Sequence, residues 1–185
     1  TVLSEALRHE NSEGNTLLYN LRGWLSTISP NVEFKSSLNL ITDSSYSTFD
    51  NHRAANVGYG LSYSLPVIAS LLLSTIIENS LVIIENPEAH LHPKGQVEMG
   101  RLIALCAKVG AQIIIETHSD HLFDGVRIAT RNSLISGEDV KIHWFELNKH
   151  KNTEVLSPKL YDDGRIKDWP SGFFDQFEIN ASKLF

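Results

Sequence analysis

A chain of 185 residues, 42% hydrophobic and 21% charged, is long enough for one domain with a sizeable core and has the composition of a globular protein. Its net charge of −6 excludes broad nucleic-acid binding through this segment, because phosphate contacts need an excess of Lys and Arg; nucleic acid is expected as an indirect partner only. The single cysteine, Cys106, excludes an intrachain disulfide, fits a reducing, cytoplasmic compartment and reads, within "RLIALCAKVG", as a small core side chain.

In chain order, residues 1 to 30 predict helix: "TVLSEALRHE" and "NTLLYNLRGWLSTI" carry apolar residues at three- and four-residue spacing, and Pro30 ends the run. The chain opens at Thr1 in what reads as mid-helix sequence, so it is expected to be a fragment or a processed product. "NVEFKSSLNLIT" (31 to 42) alternates and predicts a strand, and "DSSYSTFDNHRAAN" (43 to 56) reads as a polar loop. Gly58 and Gly60 precede a long apolar helix over about residues 61 to 79. Its greasiest part, "LPVIASLLLSTII" (65 to 77), is too short to span a bilayer, and no membrane partner is expected.

A buried strand is predicted over 81 to 85, then a helix over about 94 to 109 closed by Gly110. "AQIIIETHS" (111 to 119) predicts a second buried strand, and a helix follows over roughly 120 to 132. "VKIHWFELN" (140 to 148) predicts a third strand, with "TEVLSPKL" (153 to 160) as its hairpin partner across the charged turn "NKHKN". Apolar strands alternating with helices indicate an α/β fold, a mostly parallel sheet flanked by helices. The aromatic tail, 161 to 185, is expected to pack on the flank, with Trp169, Phe173, Phe174 and Phe177 as a satellite core.

Ligands of an open parallel sheet gather at the carboxyl ends of its strands. "LVIIENPEAHLHPKGQ" (81 to 96) delivers Glu85 to that rim, and "IIIETHSDHL" delivers His118. An acid at the end of an apolar strand suits the magnesium of a nucleotide, and a histidine on the next strand can reach a terminal phosphate or position a water. The glycine pair of "NVGYGLSYSLP" leaves backbone N–H groups open at a positive helix end, where an anion binds. Singly, these are also the marks of a turn, a cap or a salt bridge; their order and spacing join them into one site.

"NVGYGLSYSLPVI", "LVIIENPEAHLHPKGQ" and "IIIETHSDHL", in that order, resemble the C-terminal half of an ABC-type P-loop ATPase head, most closely the bacterial SMC-like AAA group. The tail with "DWPSGFFDQF" resembles the DUF3696 segment that closes some of those proteins. The resemblance implies an ATPase part over 1 to 160 and a DUF3696-like tail over 161 to 185. It implies that Gly58, Gly60 and Ser62 form a signature loop contacting the γ-phosphate of ATP bound to the opposite subunit. Glu85 becomes the Walker B acid that holds Mg2+ through water, His90 and His92 lie in the D-loop near the dimer interface, and His118 is the switch histidine. The partners implied are a second head in an ATP-bridged homodimer and a nuclease or other effector in DNA maintenance or phage defence.

Two departures follow. Asn86 stands where many relatives have the glutamate that polarises the attacking water, and an amide can orient water but cannot take its proton. Glu88 is then either a substitute base or a cap of the following segment. The sequence also contains no Gly-Lys dipeptide, hence no Walker A loop, so an N-terminal half that carries it is an expected partner and the chain alone should bind nucleotide poorly. Two rival readings remain open. One is a metal-dependent hydrolase using His90, His92, His118 and Asp120. The other is a non-catalytic docking module that holds a partner through the aromatic tail.

Overall fold

The computed structural model describes residues 16–30, 32–39, 44–53 and 56–184, so the helix expected over 1 to 15 and the strand end at 40 to 42 lie outside the described residues. The chain divides into two compact units, Thr1–Val126 and Arg127–Phe185.

In the first unit, helix α1 (Leu17–Ile28) is opened by Thr16, whose hydroxyl accepts the Tyr19 N–H at 3.4 Å. It buries Trp24, Leu25 and Ile28 on one face. Strands β1 (Phe34–Asn39), β2 (Ser44–Phe49) and β3 (His52–Arg53) follow as an antiparallel sheet. The polar loop expected over 43 to 56 is therefore corrected to strand over much of its length. Asp50 and Asn51, at φ 49° and 65°, make the two-residue turn between β2 and β3, a conformation these short polar residues tolerate. Phe34 and Phe49, both buried with rings 5.4 Å apart, fix the β1–β2 register across a non-polar pair.

Helix α2 (Tyr59–Ser74) buries Ser64, Val67, Ile68, Leu71 and Leu72 at helical spacing. Helix α3 (Pro93–Lys108) starts with Pro at its first position and buries Met99, Leu102, Ile103 and Cys106. It ends as expected at Gly110, φ 109°, whose N–H donates to Ala107 C=O while the Ala111 N–H donates to Cys106 C=O. The three helices pack on one another, and α2 and α3 also pack under strands β4 (Leu81–Glu85) and β5 (Gln112–Glu116). Helix α4 (Asp120–Arg131) follows β5. Gly100 of α3 and Gly125 of α4 let these helices touch by backbone: a Cβ on Gly100 would lie 2.1 Å from Leu122 O and 3.1 Å from Gly125 Cα.

The fold is α/β, and the parallel pairing lies between β4 and β5. These strands were expected to be buried on both faces. Instead burial alternates, and Leu81, Ile83 and Ile114 are 51%, 65% and 52% exposed on a face that no described element of the first unit covers.

In the second unit, β6 (Trp144–Leu147) pairs with β7 (Thr153–Leu156) as the expected hairpin and with no other described strand. A tight turn can only join antiparallel strands; a parallel partner would need a crossover. The Trp144 ring packs edge-on against buried Phe173 at 5.4 Å, and Trp169 and Phe174 complete that cluster. Phe177 does not join it: it is 75% exposed on α5 (Gln176–Leu184), a helix with no buried residue.

Two outcomes are expected from this packing. Gly100→Ala forces two backbones apart and should lower unfolding stability by about 3 kcal/mol, read from a denaturant midpoint. Burial pushes the Cys106 thiol up to about 12, so at pH 8 it stays protonated and a thiol reagent should label it only after denaturant is added.

Candidate functional site

The β4–β5 register runs from Leu81↔Gln112 to Glu85↔Glu116, so the two glutamates end their strands side by side. Paired positions project to the same face, and adjacent strands are about 4.8 Å apart, so two exposed carboxylates share one rim. Left alone they repel. An all-oxygen, doubly acidic rim suits a hard cation such as magnesium.

The chain leaves β4 through Asn86, whose φ of 49° turns the backbone sharply and whose N–H donates to Glu116 C=O at 2.9 Å. Buried Pro87 follows, and then Glu88, only 8% exposed. Glu88 Oε1 accepts the backbone N–H of His118 at 3.0 Å; its Oε2 is buried without a hydrogen-bond partner among the described residues. The loop closes on itself, with the Ala89 N–H donating to Asn86 C=O and the Leu91 N–H to Glu88 C=O, both at 3.0 Å.

His118 is 82% exposed, and its Nε2 lies 2.9 Å from Glu116 Oε1. Ser119 anchors the next helix: its hydroxyl donates to Gln96 Oε1 at 2.5 Å and accepts the Leu122 N–H at 3.0 Å. The imidazole is thus an exposed group on a tightly held backbone.

Gly58 is the N-cap of α2 and offers no side chain to its first turn; the space where its Cβ would stand is open. The Ser62 N–H closes that turn on Gly58 C=O at 3.5 Å. Gly60 answers a different demand, because a Cβ there would lie 2.7 Å from His90 O. The Tyr63 hydroxyl donates to Glu85 C=O at 2.8 Å, tying α2 to the end of β4.

The structure therefore brings Glu85, Asn86, Glu88 and His118 together by direct bonds and register, and sets Gly60 against His90. The histidines of the metal-hydrolase reading are occupied separately. His90, at φ 62°, stacks on Tyr59 with ring centroids 5.5 Å apart. His92 caps α3, its Nδ1 accepting the Lys94 N–H at 3.4 Å. His118 faces Glu116, and Asp120 binds the His121 N–H at 2.8 Å. Among the described residues no three His, Cys, Asp or Glu converge as metal ligands. Sequence reasoning missed Tyr63 and Glu116. The latter had a signal, since "LVIIE" and "QIIIE" are matched runs that each end in Glu.

Residues 19–124 match the family described as "AAA domain, putative AbiEii toxin, Type IV TA system". Residues 135–184 match "Protein of unknown function (DUF3696)". Among solved structures, the fold is similar to an SMC ATPase from work on ATP-driven dimerization and DNA stimulated activation (TM-score 0.59, 12% identity, 91% of each chain covered). It is also similar to an Smc head bound to the C-terminal winged-helix domain of ScpA (TM-score 0.57, 15% identity), covering 78% of this chain and 42% of that one. A third likeness is to an Smc head with an extended coiled coil, bound to the C-terminal domain of ScpA from Pyrococcus furiosus (TM-score 0.58, 14% identity). There the match covers 91% of this chain and 38% of the other. At these identities the likeness is one of fold, and the chain spans less than half of the last two proteins. No curated protein matches the chain.

The separate occupations of His90, His92 and His118 predict weak zinc binding. Calorimetric titration with Zn2+ should find no one-to-one site tighter than about 1 μM. A tight site lost in His90→Ala would restore the metal-hydrolase reading.

Proposed function

Because the chain belongs to the AAA-domain ATPase family that matches residues 19–124, we propose that it supplies the signature, Walker B and switch elements of an ABC/SMC-like head that binds and hydrolyses Mg-ATP between two heads. The observation that carries this reading is the joined rim: Glu85 and Glu116 in register, with the loop after β4 hydrogen-bonded to His118.

In this reading Glu85 holds Mg2+ through water, with Glu116 beside it adding to the acidic rim. The ion, when bound, neutralises charge on the phosphates. Asn86 orients the attacking water. His118, exposed yet fixed at its backbone, reaches the terminal phosphate. The first turn of α2, which no side chain caps, offers the N–H groups around Gly58 and Gly60 to the γ-phosphate of ATP held by the opposite subunit, with Ser62 beside them as a further phosphate contact. His90 and His92 face the same interface from the loop after β4. The ATPase part and the DUF3696 part act as one head and its closing segment.

The uncovered face of β4–β5 supports a further partner. Leu81, Ile83 and Ile114 form an apolar surface beside the acidic rim, where a segment carrying the missing Gly-Lys loop would complete both the sheet layer and the phosphate cradle. By fold-level analogy alone, ATP-driven closing and opening of two heads would be passed to a nuclease or another effector in DNA maintenance or phage defence. No described helix is long and apolar enough to cross a membrane.

The test is Mg-ATP turnover by this chain with and without the P-loop-bearing segment. Turnover is expected only with the segment, and kcat should fall about 100-fold in Glu85→Gln and in His118→Ala. Wild-type rates in both variants, or ATP hydrolysis by the 185-residue chain alone, would defeat the proposal. A carboxylate at Asn86 would add a proton acceptor, so Asn86→Glu should raise a slow kcat by about tenfold.

A further inference from the structure

We infer that Glu88 is neither the general base nor a local cap but a positioning residue, which locks the backbone of His118 to the loop after β4; this rests on the ATPase reading above.

A carboxylate is expensive to bury, and it is retained only where a donor needs it. Glu88 has such a donor thirty positions away in sequence, in the N–H of His118 at 3.0 Å. His118 lies between the last paired residue of β5, Glu116, and the first of α4, Asp120, where the backbone has left the strand ladder and not yet entered a helix. Its amide therefore depends on a side chain for an acceptor. The other oxygen argues against acid–base chemistry: Oε2 is buried, with no hydrogen-bond partner among the described residues. A base must be within hydrogen-bond reach of the water it deprotonates.

The same loop is pressed from its other side. A Cβ on Gly60 would lie only 2.7 Å from His90 O, so the first turn of α2 packs closely against the loop and cannot move far toward it without displacing it. Contact thus runs from the α2 N-terminus through loop 86–92 and the Glu88 carboxylate to the His118 amide. The imidazole beyond that amide is 82% exposed, held at its far end by Glu116. A displacement of the α2 N-terminus by a phosphate or an opposing head is passed toward exposed His118 through this part-buried hydrogen bond. Glu88 makes the signature end and the phosphate sensor one mechanical unit.

Two variants separate the roles. Glu88→Gln keeps a carbonyl oxygen that can accept the His118 N–H but cannot take a proton, whereas Glu88→Ala keeps neither. In this chain, hydrogen exchange at the His118 amide should quicken at least about tenfold in Glu88→Ala and stay near wild type in Glu88→Gln. In the protein assembled with its P-loop segment, Glu88→Ala should lower kcat about 100-fold with KM for Mg-ATP little changed, and Glu88→Gln should restore most of it. Unchanged exchange in Glu88→Ala overturns the inference, and so does a kcat as low in Glu88→Gln as in Glu88→Ala, the signature of a base. Wild-type protein that turns over no ATP instead removes the ATPase reading, an outcome distinct from an active wild type that tolerates Glu88→Ala.

Discussion

The parallel pairing of β4 with β5 is the constraint from which the site follows. Five consecutive residue pairs fix the register, and the last of them sets Glu85 beside Glu116. Side chains alternate with period two, so a slip of one residue would send one carboxylate to the helix-covered face. The ladder also extends one step past the strand, through the Asn86 N–H to Glu116 C=O at 2.9 Å. That last bond starts the loop of residues 86–92 from a fixed point, and the loop in turn decides where Glu88, His90 and His92 stand. Helices α2 and α3 hold the pair from beneath, and the Tyr63 hydroxyl fastens α2 to the Glu85 carbonyl itself.

The two faces of that pair have opposite characters. The inner residues, Val82, Ile84, Ile113 and Ile115, are partly covered by the helices; the outer ones, Leu81, Ile83 and Ile114, are open. An isolated two-stranded sheet is marginal in water and gains stability from every layer packed on it. Exposing three large aliphatic side chains next to two glutamates is unfavourable for a free-standing surface but natural for one that receives a covering segment. The acidic rim and the oily face are continuous, so a single element could bury the aliphatics and bring cationic or backbone donors to the carboxylates. In the proposed ATPase a Walker A segment would suit this face, whose strand residues Leu81, Ile83, Glu85, Gln112, Ile114 and Glu116 include no cation.

Much of this was legible in the residues. The two strands, Glu85 at the end of the first, helices α2 to α4 and the β6–β7 hairpin follow from apolar runs, periodicity and the stop at Gly110. What escaped was set by contacts between segments distant in sequence. "DSSYSTFDNH" looks polar, yet Tyr46, Thr48 and Phe49 give it strand character, and the Asp50–Asn51 turn needs the left-handed backbone that short polar residues accept. Composition read that stretch as a loop because serine dominates it. Glu88 and His118 are joined across the fold, so no local pattern marks their bond. Phe177 looked like its aromatic neighbours and differs only because its helix buries nothing. The one-sided exposure of β4 and β5 was also hidden, because a run such as "LVII" reads the same whether its second face is covered in this chain or by another.

Asn86 shows how one residue can answer two demands that composition cannot separate. The resemblance to ABC-type heads would place a catalytic glutamate at this position, which makes the amide look like a loss of function. In the structure the position has φ 49°, a left-handed conformation that costs most residues about 1–2 kcal/mol and asparagine less. The turn is needed because the chain must leave the strand at once to bury Pro87 and carry Glu88 beneath His118. The backbone therefore favours asparagine before any chemistry is considered. In the proposed ATPase, an amide at this position would orient water without taking its proton, which is why slow hydrolysis is expected.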